Sequence, residues 1–120
     1  DYIVFNGPDE QFLGGRLMGA RGGIGGTYGV MPDLFLQLNH LISIKELEKA
    51  QQLQYAINDI IAKLVSGHGN MYGMIKAVLK LNEGLELGSV RAPLTSLIET
   101  DHVIAEVAAE MIQEARERYC

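Results

Sequence analysis

The first part of the chain carries two short apolar runs, each followed by a loop and a helical segment. Residues 2–5 are β-branched and aromatic and end at an Asn-Gly-Pro sequence, which is typical of a fully buried parallel strand. Residues 22–28 form the second strand with its glycine-rich exit loop. Sixteen residues separate the runs, about the length of one right-handed crossover helix with its loops. The pattern predicts two consecutive β/α units whose edges and faces need more sheet and more helices.

From about Met31 onward the spacing of apolar residues is helical. Pro32 suits the first turn of a helix, because its missing N–H is not needed there. Ser43 and Glu46 have the spacing of a capping box and predict the start of the next helix. That helix is amphipathic, and Gly67 is expected to end it.

Two further helices are predicted, one over about 71–81 and one from near Thr100, with a loop over 82–94 between them. The last helix is expected to bury a single apolar stripe: Val103, Ile104, Val107, Ala108, Met111, Ile112 and Ala115. The prediction is therefore an α/β segment over 1–42, followed by a three-helix segment over 43–120 that makes the chain mostly helical.

Composition narrows the class of protein. The 120 residues are 48% hydrophobic and 21% charged, as in ordinary globular proteins. The net charge of −5 and the lack of a basic stripe argue against nucleic-acid binding. No apolar run approaches the roughly 20 residues of a membrane span. The one cysteine, Cys120, predicts no disulfide framework, and the chain opens on a strand without Met or a targeting segment. We expect a truncated, soluble, cytoplasmic chain.

Candidate chemistry begins at the end of the first predicted strand. Asp9 and Glu10 follow Pro8 and fall in the first turn of a helix, at the strand end where α/β folds place their ligand sites. On spacing alone, the simpler interpretation is that these carboxylates complement the helix dipole. The alternative is that they accept hydrogen bonds from the hydroxyls of a polyol substrate.

The glycine-rich loop 25–29 has two interpretations as well. It is either a tight turn or a place where a ligand approaches the main chain, and it is not a P-loop because no Gly-Lys-Ser/Thr follows. Tyr28 either lines a pocket or simply packs. The histidines and acidic residues show no metal-ligand spacing, so neither a metal nor a cofactor is expected.

Four segments together carry a resemblance to a known family: residues 2–12, 18–31, 48–54 and 90–94. They resemble the sialic acid lyase branch of the dihydrodipicolinate synthase/sialate lyase superfamily of class I aldolases, and the match spans essentially the whole chain. The Asp-Glu that follows Asn-Gly-Pro is the part most specific to the lyase branch. The resemblance implies that this chain is strands 7 and 8 of a (β/α)8 TIM barrel with their helices, followed by a three-helix C-terminal extension.

The resemblance also implies an activity. The family cleaves N-acetylneuraminate reversibly to pyruvate and N-acetylmannosamine, through a Schiff base between pyruvate and a lysine, with a tyrosine as proton shuttle. Both catalytic residues are expected to precede Asp1, so no catalytic residue is expected in this chain. The five lysines are all predicted to lie on helices downstream of the second strand. The implied partners are the N-terminal remainder of the barrel and further copies in a homotetramer.

Substrate binding is what carries over to this chain. The resemblance implies six substrate-binding positions: Gly7, Asp9, Glu10, Gly25, Gly26 and Tyr28. The family often has serine where this chain has Gly26, so its substrate preference is open. Two alternatives remain, another pyruvate-dependent aldolase or synthase of the superfamily and a non-enzymatic helical interaction domain.

Overall fold

A computed structural model describes all 120 residues of the chain, and most of them are helical. In chain order the elements are β1 (Phe5–Asn6), a 3-10 turn (Asp9–Gln11), α1 (Phe12–Leu17), β2 (Gly22–Gly23), α2 (Pro32–Ser43), α3 (Leu47–Leu64), α4 (Met71–Glu83) and α5 (Glu99–Tyr119). The chain forms two compact units, residues 1–58 with 115–120 and residues 59–114. No helix is both long enough and apolar enough to cross a membrane.

β1 and β2 pair in parallel, as the sequence predicted. Phe5 is opposite Gly22 and Asn6 is opposite Gly23. The N–H of Arg21 extends the pairing by donating to the Val4 carbonyl at 2.8 Å. α1 connects the two strands. The two strands thus end side by side, and their following loops lie at the same edge.

The prediction of a fully buried first strand is wrong for this chain. The regular strand is only two residues long, and the apolar run before it is exposed, from 99% at Tyr2 to 53% at Phe5. The sheet has only two strands, so no neighbouring strand covers the other side of β1. An apolar run that would be covered in a larger sheet is therefore open to water here.

An aromatic cluster packs the loop after β2 against the helices. The ring of Phe12 meets the rings of Tyr28 and Phe35 edge-on, with centroids 6.0 and 5.9 Å apart. Tyr28 and Phe35 are closer, at 4.2 Å. α2 begins at Pro32, as predicted, and buries one face. Its Asp33 forms an ion pair of 2.7 Å with Arg116 near the end of α5. These contacts fix α1, α2 and the β2 loop as one packed group.

The junction of α2 and α3 differs from the predicted capping box. Ser43 is still part of α2, and its hydroxyl donates to the carbonyl of His40 at 2.7 Å. Lys45 adopts the left-handed conformation with φ of 64°, and the N–H of Glu46 donates to the Leu41 carbonyl at 2.9 Å. This is the Schellman pattern that ends a helix. The spacing of Ser43 and Glu46 matched a capping box, but the hydroxyl serves the helix that ends there.

α3 confirms the predicted amphipathic face, apart from Leu47 at its start, which is 45% exposed. The buried residues of that face are Ala50, Leu53, Ile57, Ile60, Ile61 and Leu64.

In the second compact unit, Asn70 caps the start of α4, because its side chain accepts from the N–H of Tyr72, and Gly84 caps the end in the left-handed conformation. α5 begins one residue before the predicted start. Its predicted stripe is only partly correct, because Val103 is 61% and Val107 39% exposed. Ala108, Ile112 and Ala115 of the stripe are buried as predicted, and two small residues outside it, Ala105 and Ala109, are buried as well. The predicted division of the chain into a barrel segment, 1–42, and a helical extension, 43–120, stays a prediction.

Candidate functional site

The acidic turn follows β1 directly. Pro8 has φ of −65° and precedes the 3-10 turn Asp9–Gln11. Its carbonyl accepts from the N–H of Gln11 at 3.0 Å and from the side-chain amide of Asn6 at 2.7 Å. The proline fixes the entry to the turn, because its ring sets φ, and the two hydrogen bonds close it. Two acidic residues are thereby placed at the carboxyl end of a parallel strand.

Asp9 ties the acidic turn to the loop that follows β2. Its carboxylate oxygen Oδ2 accepts from the N–H of Thr27 at 2.9 Å and from the Thr27 hydroxyl at 2.5 Å. Asp9 is 7% exposed and Thr27 only 2%. Hydrogen bonds to a charged acceptor are about twice as strong as neutral ones. The contact therefore joins the two strand-end loops into one structure.

Gly25 makes this approach possible. A Cβ placed on Gly25 would lie 1.6 Å from Asp9 Oδ1 and 2.5 Å from Asp9 Cγ, far inside any allowed contact. The glycine is needed at this position for space, because a buried carboxylate occupies the volume of a side chain. The predicted interpretation of Gly25 as a main-chain ligand contact is compatible with this role but is not tested by it.

A pair of side-chain amides on α3 holds the acidic turn from the other side. Gln54 accepts from the N–H of Leu13 at 2.9 Å and donates to the Asp9 carbonyl at 3.3 Å. It also donates to Asn58 Oδ1 at 2.9 Å, and Asn58 donates to the Glu10 carbonyl at 3.2 Å. Gln54 is 5% exposed. The main chain of the acidic turn is thus hydrogen-bonded to a helix more than forty residues away.

The structure brings some of the predicted site residues together and leaves others open. Asp9 and Gly25 are in contact. Glu10 is exposed, and Gly7 is exposed with open space where a Cβ would point. Gly26 is half-buried next to Thr27. One carboxylate of the acidic pair is therefore committed to holding the loops, whereas the other faces solvent and is open to a ligand.

Tyr28 is packed rather than open. Its ring belongs to the aromatic cluster, and its hydroxyl is buried without a hydrogen-bond partner. Burial, and then the negative charge of Asp9, raise the pKa of the Tyr28 hydroxyl. The Asn6 side chain opposes this rise, but it forms no hydrogen bond of acceptable geometry with the hydroxyl. The phenol therefore stays protonated and neutral at ordinary pH.

Two surface hollows are present, one in each compact unit. The hollow of about 500 Å³ in the first unit is lined in part by Glu10, Asn6 and Gln54. The larger one, of about 590 Å³, lies in the second unit and is lined by none of the predicted site residues. Neither is lined by Tyr28. We place the candidate site at the acidic turn, because the exposed carboxylate lies there at the carboxyl end of a parallel strand. The larger volume of the other hollow does not outweigh this.

The five lysines have ordinary surroundings. Lys49, Lys63, Lys76 and Lys80 lie on helices as predicted, whereas Lys45 lies in the turn between α2 and α3, which corrects the prediction for that residue. Lys80 pairs with Glu86 at 2.7 Å, and Lys76 donates to the Ser89 carbonyl at 2.9 Å. None of the five is buried, so none has the desolvated setting that activates a lysine amine.

Sequence reasoning missed three residues of this arrangement: Thr27, Gln54 and Asn58. Thr27 and Gln54 fall within segments that carry the family resemblance, but neither has a predicted role, and Asn58 is predicted only as part of a helix. The signal for the amides was present, since a glutamine and an asparagine four residues apart share one face of a helix. What they bind could not be read from that spacing, because their partners lie far away in the chain.

Comparisons with known proteins identify the family of the chain. Residues 1–114 match the profile of the Dihydrodipicolinate synthetase family. The chain belongs to this family. Its relatives include the N-acetylneuraminate lyase of Mediterraneibacter gnavus, 55% identical over 119 residues, which are 99% of this chain and 38% of that protein. The N-acetylneuraminate lyase of Rhizobium meliloti is 42% identical over 101 residues, covering 84% of this chain and 33% of that protein.

Solved structures of the family superpose on the chain. The wild-type sialic acid aldolase of Ruminococcus gnavus matches with a TM-score of 0.98 and 55% identity, over 99% of this chain and 40% of that one. The N-acetylneuraminate lyase of Fusobacterium nucleatum complexed with pyruvate matches with a TM-score of 0.77 and 28% identity, over 99% of this chain and 37% of that one. The chain thus spans about two fifths of the length of these relatives, and it has the fold of the corresponding part of family members.

Proposed function

We propose that this chain is the C-terminal part of a class I aldolase that cleaves N-acetylneuraminate to pyruvate and N-acetylmannosamine. The observation that carries the proposal is the joined pair of loops at the carboxyl ends of two parallel strands, one acidic and one rich in glycine. Ligand sites of α/β barrels lie at that end of the strands. The 55% identity to a protein named N-acetylneuraminate lyase supports the choice of substrate.

In this proposal the chain supplies the substrate-binding half of the site. Exposed Glu10 accepts hydrogen bonds from hydroxyls of the sugar tail, as a carboxylate can do with both oxygens. Gly7, Gly25 and Gly26 let the substrate approach the main chain, and Asp9 lies beside them. Tyr28 forms part of the wall behind the glycine loop. None of these residues attacks the substrate.

The reacting groups are proposed to lie elsewhere in the complete protein. A lysine amine attacks the keto group of the substrate and forms the Schiff base with loss of one water molecule, and a tyrosine acts as the proton shuttle. No metal and no cofactor take part in this mechanism. β1 and β2 correspond in the proposal to strands 7 and 8 of the (β/α)8 barrel, and α3, α4 and α5 to its C-terminal extension.

The exposed edge of β1 supports the need for the rest of the barrel. The apolar residues 2–5 have no cover within this chain, which is what the edge of a larger sheet looks like when its neighbour is missing. The proposed partners are therefore the N-terminal part of the same protein and, in the assembled enzyme, further copies in a homotetramer. We propose that the enzyme is cytoplasmic.

A second candidate is a related pyruvate-dependent aldolase or synthase with another acceptor. It is favoured by Gly26, which stands where the sialic acid lyases often have serine, so that one hydrogen bond to the substrate is left to the main chain or water. Family membership argues against the non-enzymatic helical domain. Screening N-acetylneuraminate, keto-deoxysugars and aspartate semialdehyde with the complete protein separates the two enzymatic candidates.

The experiment that tests the proposal compares the complete protein with residues 1–120 alone. We expect the complete protein to release pyruvate from N-acetylneuraminate, and borohydride to trap pyruvate on a lysine outside residues 1–120. The isolated chain should do neither and should aggregate or self-associate, and a fragment carrying the preceding strands should restore activity. Turnover by the isolated chain, or trapping on Lys45, Lys49, Lys63, Lys76 or Lys80, would refute the placement of the nucleophile.

A further inference from the structure

The acidic turn and the helix after it lack caps of their own. Pro8 precedes the 3-10 turn and Gln11 precedes α1, and neither provides a side-chain hydrogen bond to the first turn that follows it. The first N–H groups of a helix need partners from outside the helix. α1 is only six residues long, so its own hydrogen bonds cannot hold its start in place.

Gln54 and Asn58 provide the missing partners from α3. Gln54 accepts a hydrogen bond from the N–H of Leu13, in the first turn of α1. It donates hydrogen bonds to the Asp9 carbonyl and to Asn58. Asn58 in turn donates a hydrogen bond to the carbonyl of Glu10. Three main-chain groups of the segment that carries the two carboxylates are thus bound by two side chains.

We propose that Gln54 and Asn58 are a positioning pair that sets where the Glu10 carboxylate stands, and so sets the affinity for the polyol end of the substrate. This inference rests on the proposed function. The hydrogen bonds that the pair makes to the turn and to the start of α1 all go to main-chain groups, so it acts through Glu10. It sits on α3, whose neighbouring residues Leu53 and Ile57 are fully buried, so the helix offers a fixed platform.

The amide is required at position 54 because it both accepts and donates. A carboxylate there would still accept from Leu13, but it would face two oxygens, the Asp9 carbonyl and Asn58 Oδ1, that now receive its hydrogen bonds. Gln54 is almost fully buried, so water cannot replace the lost partners easily. The position therefore excludes the residue most similar in shape, which a purely space-filling role would not do.

The test uses the complete protein with Gln54→Met and Asn58→Leu, which keep the volume and remove the amides, and with Gln52→Met as control. Gln52 is exposed on the same helix. We expect each amide variant to raise KM for N-acetylneuraminate roughly tenfold, the effect of losing about one such hydrogen bond, with kcat nearly unchanged. Borohydride trapping with pyruvate should be unchanged, and the control should match the wild type.

A double-variant cycle distinguishes positioning from general structural damage. In a Glu10→Gln background, Gln54→Met should raise KM little further, because the group that it positions has already been removed. Additive effects on KM, or an equal loss of kcat for every substrate, would overturn the inference.

Amide hydrogen exchange gives a readout that does not depend on activity. Exchange of residues 9–13 should become faster in Gln54→Met and Asn58→Leu than in the wild type and in Gln52→Met. Unchanged exchange would show that the pair does not hold the turn. A wild-type protein without turnover of N-acetylneuraminate would refute the proposed function, and with it the expected effect of the pair on KM for that substrate. Wild-type turnover with an unchanged KM in both variants would refute the positioning inference alone.

Discussion

Each compact unit buries one aspartate against a glycine-containing loop. In the first unit, Asp9 accepts two hydrogen bonds from Thr27, and Gly25 leaves room for its carboxylate. In the second, Asp101 accepts from the main chain of the loop between α3 and α4, and Gly67 leaves room for it, since a Cβ there would lie 2.6 Å from Asp101 Oδ1. In both arrangements a buried carboxylate accepts hydrogen bonds from main-chain N–H groups of a glycine-containing loop.

The surroundings of the two carboxylates differ. Asp101 lies in the first turn of α5 and accepts from three N–H groups, those of His68, Gly69 and Ile98. It joins a helix start to a loop, and although Glu99 of the same turn is exposed, that turn follows a loop and not a strand. Asp9 stands beside exposed Glu10 at the ends of two parallel strands. A buried aspartate beside a glycine-containing loop therefore does not by itself indicate a ligand site. Asp9 is distinguished from Asp101 by its position at the carboxyl ends of two parallel strands.

The largest effect on stability is expected at Asp101. The N–H of Ile98, followed by those of His68 and Gly69, lowers the pKa of Asp101 below 3.8, although burial opposes the shift. Because the folded-state pKa is below the unfolded one, its stabilisation is complete above pH 3.8 and is lost as pH falls through the folded pKa. Asp101→Asn should lower Tm of the complete protein strongly at neutral pH. It should also remove the part of the fall in Tm at acid pH that comes from protonation of Asp101. Thermal unfolding followed by circular dichroism across pH measures both.

The control is Glu99→Gln, in the same first turn but exposed. It should change Tm little at any pH. Equal Tm values for Asp101→Asn and wild type at neutral pH would mean that the three hydrogen bonds do not stabilise the fold.

The two acidic residues of the first unit should separate stability from binding. Glu10→Gln should weaken N-acetylneuraminate binding by roughly 1.5–3 kcal/mol, the worth of a hydrogen bond to a charged group, and leave Tm unchanged. Asp9→Asn should weaken binding and lower Tm, because it also weakens the contact with Thr27. Inhibitor titration and thermal unfolding of the complete protein measure the two quantities. Loss of borohydride trapping with pyruvate in either variant would show that the site is assigned wrongly.

The two glycines give a third test of the comparison. Gly25→Ala and Gly67→Ala should each destabilise the complete protein by about 1–3 kcal/mol, the usual cost of overpacking. Only Gly25→Ala should also raise KM for N-acetylneuraminate, because only Asp9 lies in the proposed site. Gly67→Ala should cost less, since one of the atoms in its way is the flexible end of Met74. Denaturant unfolding and steady-state kinetics check this, and a raised KM in Gly67→Ala would remove the distinction.

The smallest expected effect concerns a position where glycine would be better than the residue present. Lys45 has φ of 64°, which glycine adopts without strain. Lys45→Gly should therefore stabilise the protein by about 0.5–1 kcal/mol, after allowing for the greater freedom of glycine in the unfolded state. Lys49→Gly, inside α3, should instead destabilise it by about 1 kcal/mol. Denaturant midpoints of the two variants should move in opposite directions, and a shared direction would contradict the argument.

Local patterns in the sequence predicted most of the helices. Pro32 marks the start of α2, and α4 and α5 begin within one residue of their predicted positions. These features depend on neighbours along the chain, so the sequence contains them directly. The capping box at Ser43 failed because the same spacing also occurs at the end of a helix, and only the backbone conformation of Lys45 separates the two.

The candidate site was predicted in its residue types but not in its organisation. The acidic pair after a strand and the glycine loop were both found in the sequence, and so was the family resemblance that the comparisons confirmed. Only the tertiary structure assigned Asp9 to Thr27, left Glu10 open and brought Gln54 to the turn. Those contacts join residues eighteen to forty-five positions apart. A hydrogen bond between distant residues depends on where the whole chain packs, and no local period in the sequence records it.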